Sequence, residues 1–191
     1  MNHELIVVGC SWGGLAALGR LLEHLPESVD LPVVIAQHRA PESLRGAVET
    51  ALRRRVARPV VEVGDKDPIE PGHVYVAPPD YHLLVEVGSF ALSVDERVQH
   101  ARPSIDVLFE SAADAYGARV IGVVLTGANE DGAAGLARIA ERGGVAIVQD
   151  PETAEAREMP EAALAAAPAT VLPLEGIGPF LGELTGVETR A

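Results

Sequence analysis

Apolar residues along this chain fall into short unbroken runs separated by stretches with helical spacing. Leu5 to Val8 is one such run, reads as a strand buried on both faces, and ends at Gly9. A helical pattern begins at about Gly13, with Leu15, Leu18, Leu21 and Leu22 on one side. The next strand is Leu31 to Gln37, with Pro32 at its start, and a helix follows from about Glu42 to Arg55. From Val60 to Val94 the pattern changes. Val60–Val63, His73–Ala77, Tyr81–Val87 and Phe90–Val94 are short strand-like runs, punctuated by Gly64-Asp65, Pro71-Gly72, Pro78-Pro79-Asp80 and Gly88-Ser89. This predicts a β-rich excursion with at least one hairpin.

Pro103-Ser104 opens a helix from about Ser104 to Tyr116, with Ser104 as its N-cap. Arg119 to Thr126 is another buried strand, and a helix spans about Ala133 to Glu141 before Gly143-Gly144 stops it. Val145–Val148 and Ala169–Leu172 read as strands, Met159–Ala166 and Ile177–Leu184 as helices. Strands alternating with helices predict an α/β protein with a parallel sheet. No repeat, low-complexity tract or linker divides the chain, so residues 1–191 read as a single domain.

Composition narrows the function. No apolar run approaches the roughly 18 residues of a membrane span, and the start carries no basic segment of a signal peptide. The single cysteine, Cys10, rules out an internal disulfide and fits a reducing, cytoplasmic compartment. A formal charge of −13 argues against a general nucleic-acid binder. The one basic run, Arg53-Arg54-Arg55, ends a predicted helix, where cations complement the dipole.

Between the first strand and helix, Gly9-Cys10-Ser11-Trp12-Gly13 fits G-x-S-x-G, in which the serine caps a sharp strand-to-helix turn. Free N–H groups at the helix start then face whatever the serine attacks, and a tetrahedral oxyanion suits that spot. Two other readings compete. Ser11 could be an ordinary N-cap. A dinucleotide fingerprint would need glycine at position 11, and the second strand runs into Gln37-His38 where an acidic residue would hold a ribose. His38 also leaves a strand at its carboxyl end, as does the loop Gly127-Ala128-Asn129-Glu130-Asp131-Gly132. A right-handed crossover brings such ends together. A serine needs a base, and a histidine oriented by a carboxylate supplies one. The order Ser, His, Asp differs from the Ser, Asp, His of α/β-hydrolases, and either Glu130 or Asp131 could supply the carboxylate.

Over nearly its whole length the chain resembles the catalytic domain of CheB-type protein-glutamate methylesterases. The stretches that carry the resemblance are Val8-Gly9-Cys10-Ser11-Trp12-Gly13-Gly14, Ala36-Gln37-His38, Gly72 to Pro78, Arg102 to Phe109, Leu125-Thr126-Gly127, Asp131 to Leu136, Gln149-Asp150 and Met159-Pro160. The resemblance implies a three-layer α/β/α fold around a mainly parallel sheet, and hydrolysis of glutamate γ-methyl esters on chemoreceptor helices with release of methanol. Glutamine deamidation is a related family activity. Ser11 matches the nucleophile, His38 the base and Asp131 the acid that orients it. The backbone N–H groups of Trp12 and Ala128 match the oxyanion hole by elbow analogy and by position. No metal or organic cofactor is implied, and the sequence shows no Cys/His cluster at ligand spacing.

Departures from the family bear on the substrate more than on the triad. Ser11 lies eleven residues from the start, which leaves no room for the N-terminal receiver domain that family members often carry. A stand-alone catalytic domain, or one cut from a longer chain, is expected. Ala128 replaces a common methionine, Tyr81 a common arginine, and Glu155 to Glu158 is unusually charged. Two alternatives stay open: a serine hydrolase of this fold with a different ester or amide substrate, and an idle domain that binds a signalling partner. Arg39, Arg45 and the Arg53 to Arg55 run are candidates for docking an acidic substrate. Cys10 reads as a small buried hydrophobe. His3, His24, His73, His82 and His100 read as surface or turn residues, and Asp106 and Asp150 as scaffold hydrogen-bond partners.

Overall fold

The computed structural model describes residues 2–186. The chain runs β1 (Leu5–Cys10), α1 (Gly14–His24), β2 (Val33–Gln37), α2 (Ala47–Arg53), β3 (Val60–Glu62) and β4 (Val74–Val76). It continues β5 (His82–Glu86), β6 (Ser89–Ser93), α3 (Ile105–Tyr116), β7 (Val120–Val124), α4 (Ala133–Glu141), β8 (Val145–Gln149), α5 (Glu158–Ala166), β9 (Thr170–Leu172) and α6 (Leu174–Leu184). Seven strands form one parallel sheet in the order β3-β4-β2-β1-β7-β8-β9. β5 and β6 pair separately as an antiparallel hairpin.

Central strands are apolar on both faces because both faces are covered. Along β1, Leu5 and Val7 point to one side, where they meet Leu108, Phe109 and Ala112 of α3 and Leu136 and Ile139 of α4. Ile6, Val8 and Cys10 point to the other, against Leu18, Leu21 and Leu22 of α1 and Ile177 and Leu181 of α6. The result is the three-layer α/β/α arrangement expected from the family resemblance, with the hairpin packed outside α3. Ser111 accepts a hydrogen bond from the Val85 N–H, and the Tyr116 hydroxyl accepts one from Gly88 N–H.

Two expectations are corrected. The β-rich excursion from Val60 to Val94 is not one unit. β3 and β4 join the parallel sheet, with Val33 opposite Val74 and Val60 opposite Val74, and only β5 and β6 form the excursion. Strand pattern alone does not name the pairing partner. The helix expected from about Glu42 begins at Ala47. Gly46 precedes it with φ of 72°, a left-handed backbone, and the Glu62 carboxylate accepts from Gly46 N–H at 2.9 Å. The Ser104 N-cap is found as read, its hydroxyl accepting from Val107 N–H.

β1 lies at the switch point of the sheet, since later strands are added on one side of it through β2 and on the other through β7. Gly9 on β1 faces Ile105 at the start of α3. A Cβ at Gly9 would lie 2.2 Å from Ile105 Cγ2, and one at Gly132 would lie 2.7 Å from the same methyl. Ile105 is thus wedged where three segments meet. Gly9→Ala is expected to cost about 1–3 kcal/mol of stability through overpacking. In an Ile105→Ala background that cost should shrink to below about 0.5 kcal/mol, because the obstructing methyl is gone. Denaturant unfolding of the four proteins in the cycle checks this; an unchanged penalty in the double variant would refute the wedge.

Candidate active site

Three strand ends meet in register at the carboxyl edge of the sheet. Cys10 pairs with Gln37, so Ser11 and His38 leave the sheet side by side. His38 N–H donates to the Cys10 carbonyl at 3.0 Å, and Ser11 N–H donates to the Thr126 carbonyl at 3.0 Å. Gln37 ties the two turns together, its side-chain amide donating to the carbonyls of Ser11 and His38, both at 2.9 Å. The oxygen of that amide lies 2.3 Å, and Cys10 Cβ 2.9 Å, from the ideal Cβ of a side chain at Gly14, so a larger residue there would push Gln37 out of place.

Asp131 is fully buried. Its Oδ2 accepts from His38 Nε2 at 2.6 Å and from Ile105 N–H at 2.7 Å; its Oδ1 accepts from the Ser104 hydroxyl and from Asp106 N–H, each at 2.9 Å. The carboxylate therefore sits on the N-terminus of α3, where free N–H groups and the helix dipole favour negative charge. Burial opposes that charge, but the bonds from His38, Asp106 N–H and Ile105 N–H outweigh it and hold the carboxyl below the ordinary aspartate range. Glu130, the rival acid, is exposed.

With Nε2 on Asp131, the His38 nitrogen left for a proton is Nδ1. Asn129 Nδ2 stands 3.3 Å from it, in donor geometry for a lone pair on Nδ1. Ser11 and His38 line one cleft of about 430 Å³, together with Trp12, Gly13, Leu15 and Glu155. Among the described residues no hydrogen bond joins the Ser11 hydroxyl to His38; such contacts commonly tighten only with substrate bound. Trp12 is 66% exposed at the cleft mouth, and Thr126 holds its carbonyl at 2.9 Å. No described hydrogen bond engages the N–H of Trp12 or Ala128. Ala128 itself faces a neighbouring hollow with His100 and Glu158. Cys10 is wholly buried, burial pushes its thiol up, and it donates to Gln37 at 3.0 Å, which leaves it no nucleophilic role. Among the described residues no group of three or more His, Cys, Asp or Glu could hold a metal ion.

Comparison with known proteins agrees with this geometry. The family profile described as CheB methylesterase matches residues 6–181. The chain belongs to the CheB methylesterase family. A Leptospira interrogans protein provisionally named protein-glutamate methylesterase/protein-glutamine glutaminase is 48% identical over 167 residues, covering 87% of this chain and 86% of that protein. Protein-glutamate methylesterase/protein-glutamine glutaminase 2 of Caulobacter vibrioides is 41% identical over 186 residues, 93% of this chain and 53% of its own. The chain spans nearly all of the first relative and about half of the second. The Thermotoga maritima CheB methylesterase catalytic domain superposes with a TM-score of 0.89 at 31% identity, over 96% of this chain and all of that one.

Against the CheB pattern, some expectations need correcting or completing. His82 is not a surface residue: it is buried, accepts from Ser104 N–H at Nδ1 (3.2 Å), and its Nε2 meets the Glu96 carbonyl at 3.0 Å. A histidine at a strand start carries no local signal of this, since its partners lie on distant segments. The supporting roles of Gln37, Asn129 and Ser104 carry no local signal either, since their partners lie on other segments. Ser104 was legible as a cap but not as a donor to Asp131. The Arg53 to Arg55 run does not line the cleft: Arg53 pairs with Glu49 and Arg55 with Glu23.

Asp106 answers Asp131 from the opposite side. Its Oδ1 accepts from Gly132 N–H at 2.9 Å and Gly135 N–H at 2.7 Å, the N-terminus of α4. Burial pushes its carboxyl up to about 6; the two N–H bonds pull the other way, and the nearby Asp131 charge adds to the rise. The folded protein therefore holds this proton where an unfolded aspartate, with a pKa of about 3.9, has lost it. Stability from Asp106 falls as pH rises from about 4 to 6 and is level above. Asp131 has the opposite sign, its stabilisation being lost as pH falls through its lowered value. Asp106→Asn keeps an oxygen for both glycines and cannot ionise. Relative to wild type it should gain stability between about pH 4 and 6, by at most about 3 kcal/mol. Thermal melts across that range check it, and a pH-independent difference would contradict the raised value.

Proposed function

We propose that this chain is a serine esterase that hydrolyses glutamate γ-methyl esters on the cytoplasmic helices of chemoreceptor-type proteins, with Ser11 as nucleophile, His38 as base and Asp131 as orienting acid. The observation that carries the reading is the buried Asp131–His38 pair at 2.6 Å beside the Ser11 turn. Asp131 accepts a hydrogen bond from the Nε2–H and holds that tautomer, so Nδ1 carries the lone pair that accepts the Ser11 proton. Ser11 Oγ then bonds to the ester carbonyl carbon. The oxyanion that forms falls to the N–H groups of Trp12 and Ala128 and to the start of α1. Collapse of this intermediate breaks the bond to methoxide, which leaves as methanol with the proton from His38. Water, deprotonated by His38, repeats the sequence on the acyl-enzyme and releases the glutamate carboxylate and Ser11. The same machinery suits a glutamine amide, with ammonia as leaving group, in line with the glutaminase in the relatives' names.

A cytoplasmic location follows from this substrate; among the described residues no helix is long and apolar enough to cross a membrane. Ser11→Ala should fold normally and lose nearly all turnover, since removing a triad serine has cost up to about 10⁶ in kcat elsewhere. Asp131→Asn should lose roughly 10- to 10⁴-fold, as the wrong histidine tautomer becomes favoured. Glu130→Gln should change activity by less than about threefold, as exposed substitutions do. Methanol release from a methylated receptor fragment, with melts as the folding control, measures all three. A crippled Glu130→Gln beside a near-normal Asp131→Asn would overturn the assignment.

A further inference from the structure

Beside the Ser11 cleft, and sharing His38 with it, lies a second hollow of about 330 Å³. Arg39, Arg97, His100, Arg102 and Asn129 line it. In a chain of formal charge −13 this is a concentration of cations. Two acids balance the three arginines in part: Asp80 pairs with Arg97 at 3.1 Å and Arg102 at 2.8 Å, and Glu62 pairs with Arg39 at 3.0 Å. Arg102 is otherwise spent, donating to the carbonyls of Val94 and Asp95.

Arg39 is not spent. Its side chain is only 7% exposed. One terminal nitrogen, Nη2, serves both Glu62 and the Ala77 carbonyl. Nε and Nη1 are buried and have no hydrogen-bond partner among the described residues. Buried guanidinium donors are costly to leave unpaired, and a planar pair of N–H groups is the ordinary counterpart of a carboxylate. Gln99 and His100, both at positive φ, stand on a tight turn closed by reciprocal bonds between Val98 and Ala101.

We infer that this hollow is an anion subsite that binds a second carboxylate of an acidic helical substrate, through Arg39 with Arg97 in support, while the ester lies at Ser11. The inference rests on the esterase reading and narrows its substrate: the ester's helix carries a free glutamate or aspartate about one turn away, where side chains on a helix are neighbours. It also explains how an acidic protein accepts an acidic partner, by meeting its charge at one place beside the base.

Two helix-forming peptides test it, each with a single glutamate γ-methyl ester and identical except that a residue four positions away is glutamate in one and glutamine in the other. Wild type should cleave the glutamate peptide with kcat/KM about tenfold higher, mostly through KM. Arg97→Gln, a half-exposed position, should cut that preference severalfold. Arg39→Met combined with Glu62→Gln, which removes the buried pair together, should bring it to within about twofold. Equal rates on the two peptides in wild type, or a preference that survives both variants, would sink the subsite. Binding provides an arm that does not need catalysis. Trp12 is the only tryptophan and stands at the cleft, so its fluorescence reports binding of the unesterified peptides to Ser11→Ala. Tighter binding of the glutamate peptide, lost in the Arg39→Met/Glu62→Gln background, supports the subsite even if neither ester is cleaved, an outcome that would remove the esterase reading alone. Equal binding overturns it.

Discussion

Two helix N-termini, each holding the other's carboxylate, organise this site. Asp131 stands just before α4 and accepts from the first N–H groups of α3. Asp106 stands in the first turn of α3 and accepts from the N–H groups that open α4. Each aspartate satisfies donors that a helix end cannot satisfy internally, and each lies in the favourable field of the other helix. The exchange fixes α3 against α4 by directional bonds in a buried place, where misplacement would leave charged or polar groups unpaired.

The orientation of the base follows from that lock. Three donors besides His38 hold the Asp131 carboxylate, so its free direction is set before the imidazole meets it. His38 is then constrained at both ends: Asp131 engages Nε2, and Gln37 and the β1 carbonyl edge hold the backbone from which the ring projects. Positioning of this kind costs little at the moment of reaction because folding has already supplied the order. Ile105 adds a steric element, since it fills the space that Gly9 and Gly132 leave open. The glycines at the ends of β1 and the Asp131 loop thus belong to the same lock as the aspartates.

The two carboxylates share an environment and differ in their response to it. Both are buried, yet Asp131 is held below the ordinary range and Asp106 raised above it. The difference lies in their partners. Asp131 has His38 and two N–H groups among the groups favouring its charge, whereas Asp106 has N–H groups and a like charge nearby. Close carboxylates pushed apart in this way divide their labour: one is kept as an anion for the base, and the other braces the helices.

Much of this was legible in the chain itself. The alternation of apolar runs and helical spacing determined the α/β order, because a strand covered on both faces must be continuously apolar. Gly9 to Gly13 marked the turn that carries Ser11, and Ser104 marked the start of α3, because caps and tight turns depend on neighbouring residues only. His38 and Asp131 were readable as residues at strand ends, with the family pattern choosing Asp131 over Glu130. Tertiary structure alone decided what depended on segments far apart in sequence. It assigned β3 and β4 to the main sheet, buried His82 against Ser104, turned Nε2 of His38 toward the acid, and brought the N-terminus of α3 to Asp131 from 25 residues away. Local sequence specifies donors, acceptors and backbone freedom; which donor meets which acceptor is settled only when the helices pack on the sheet.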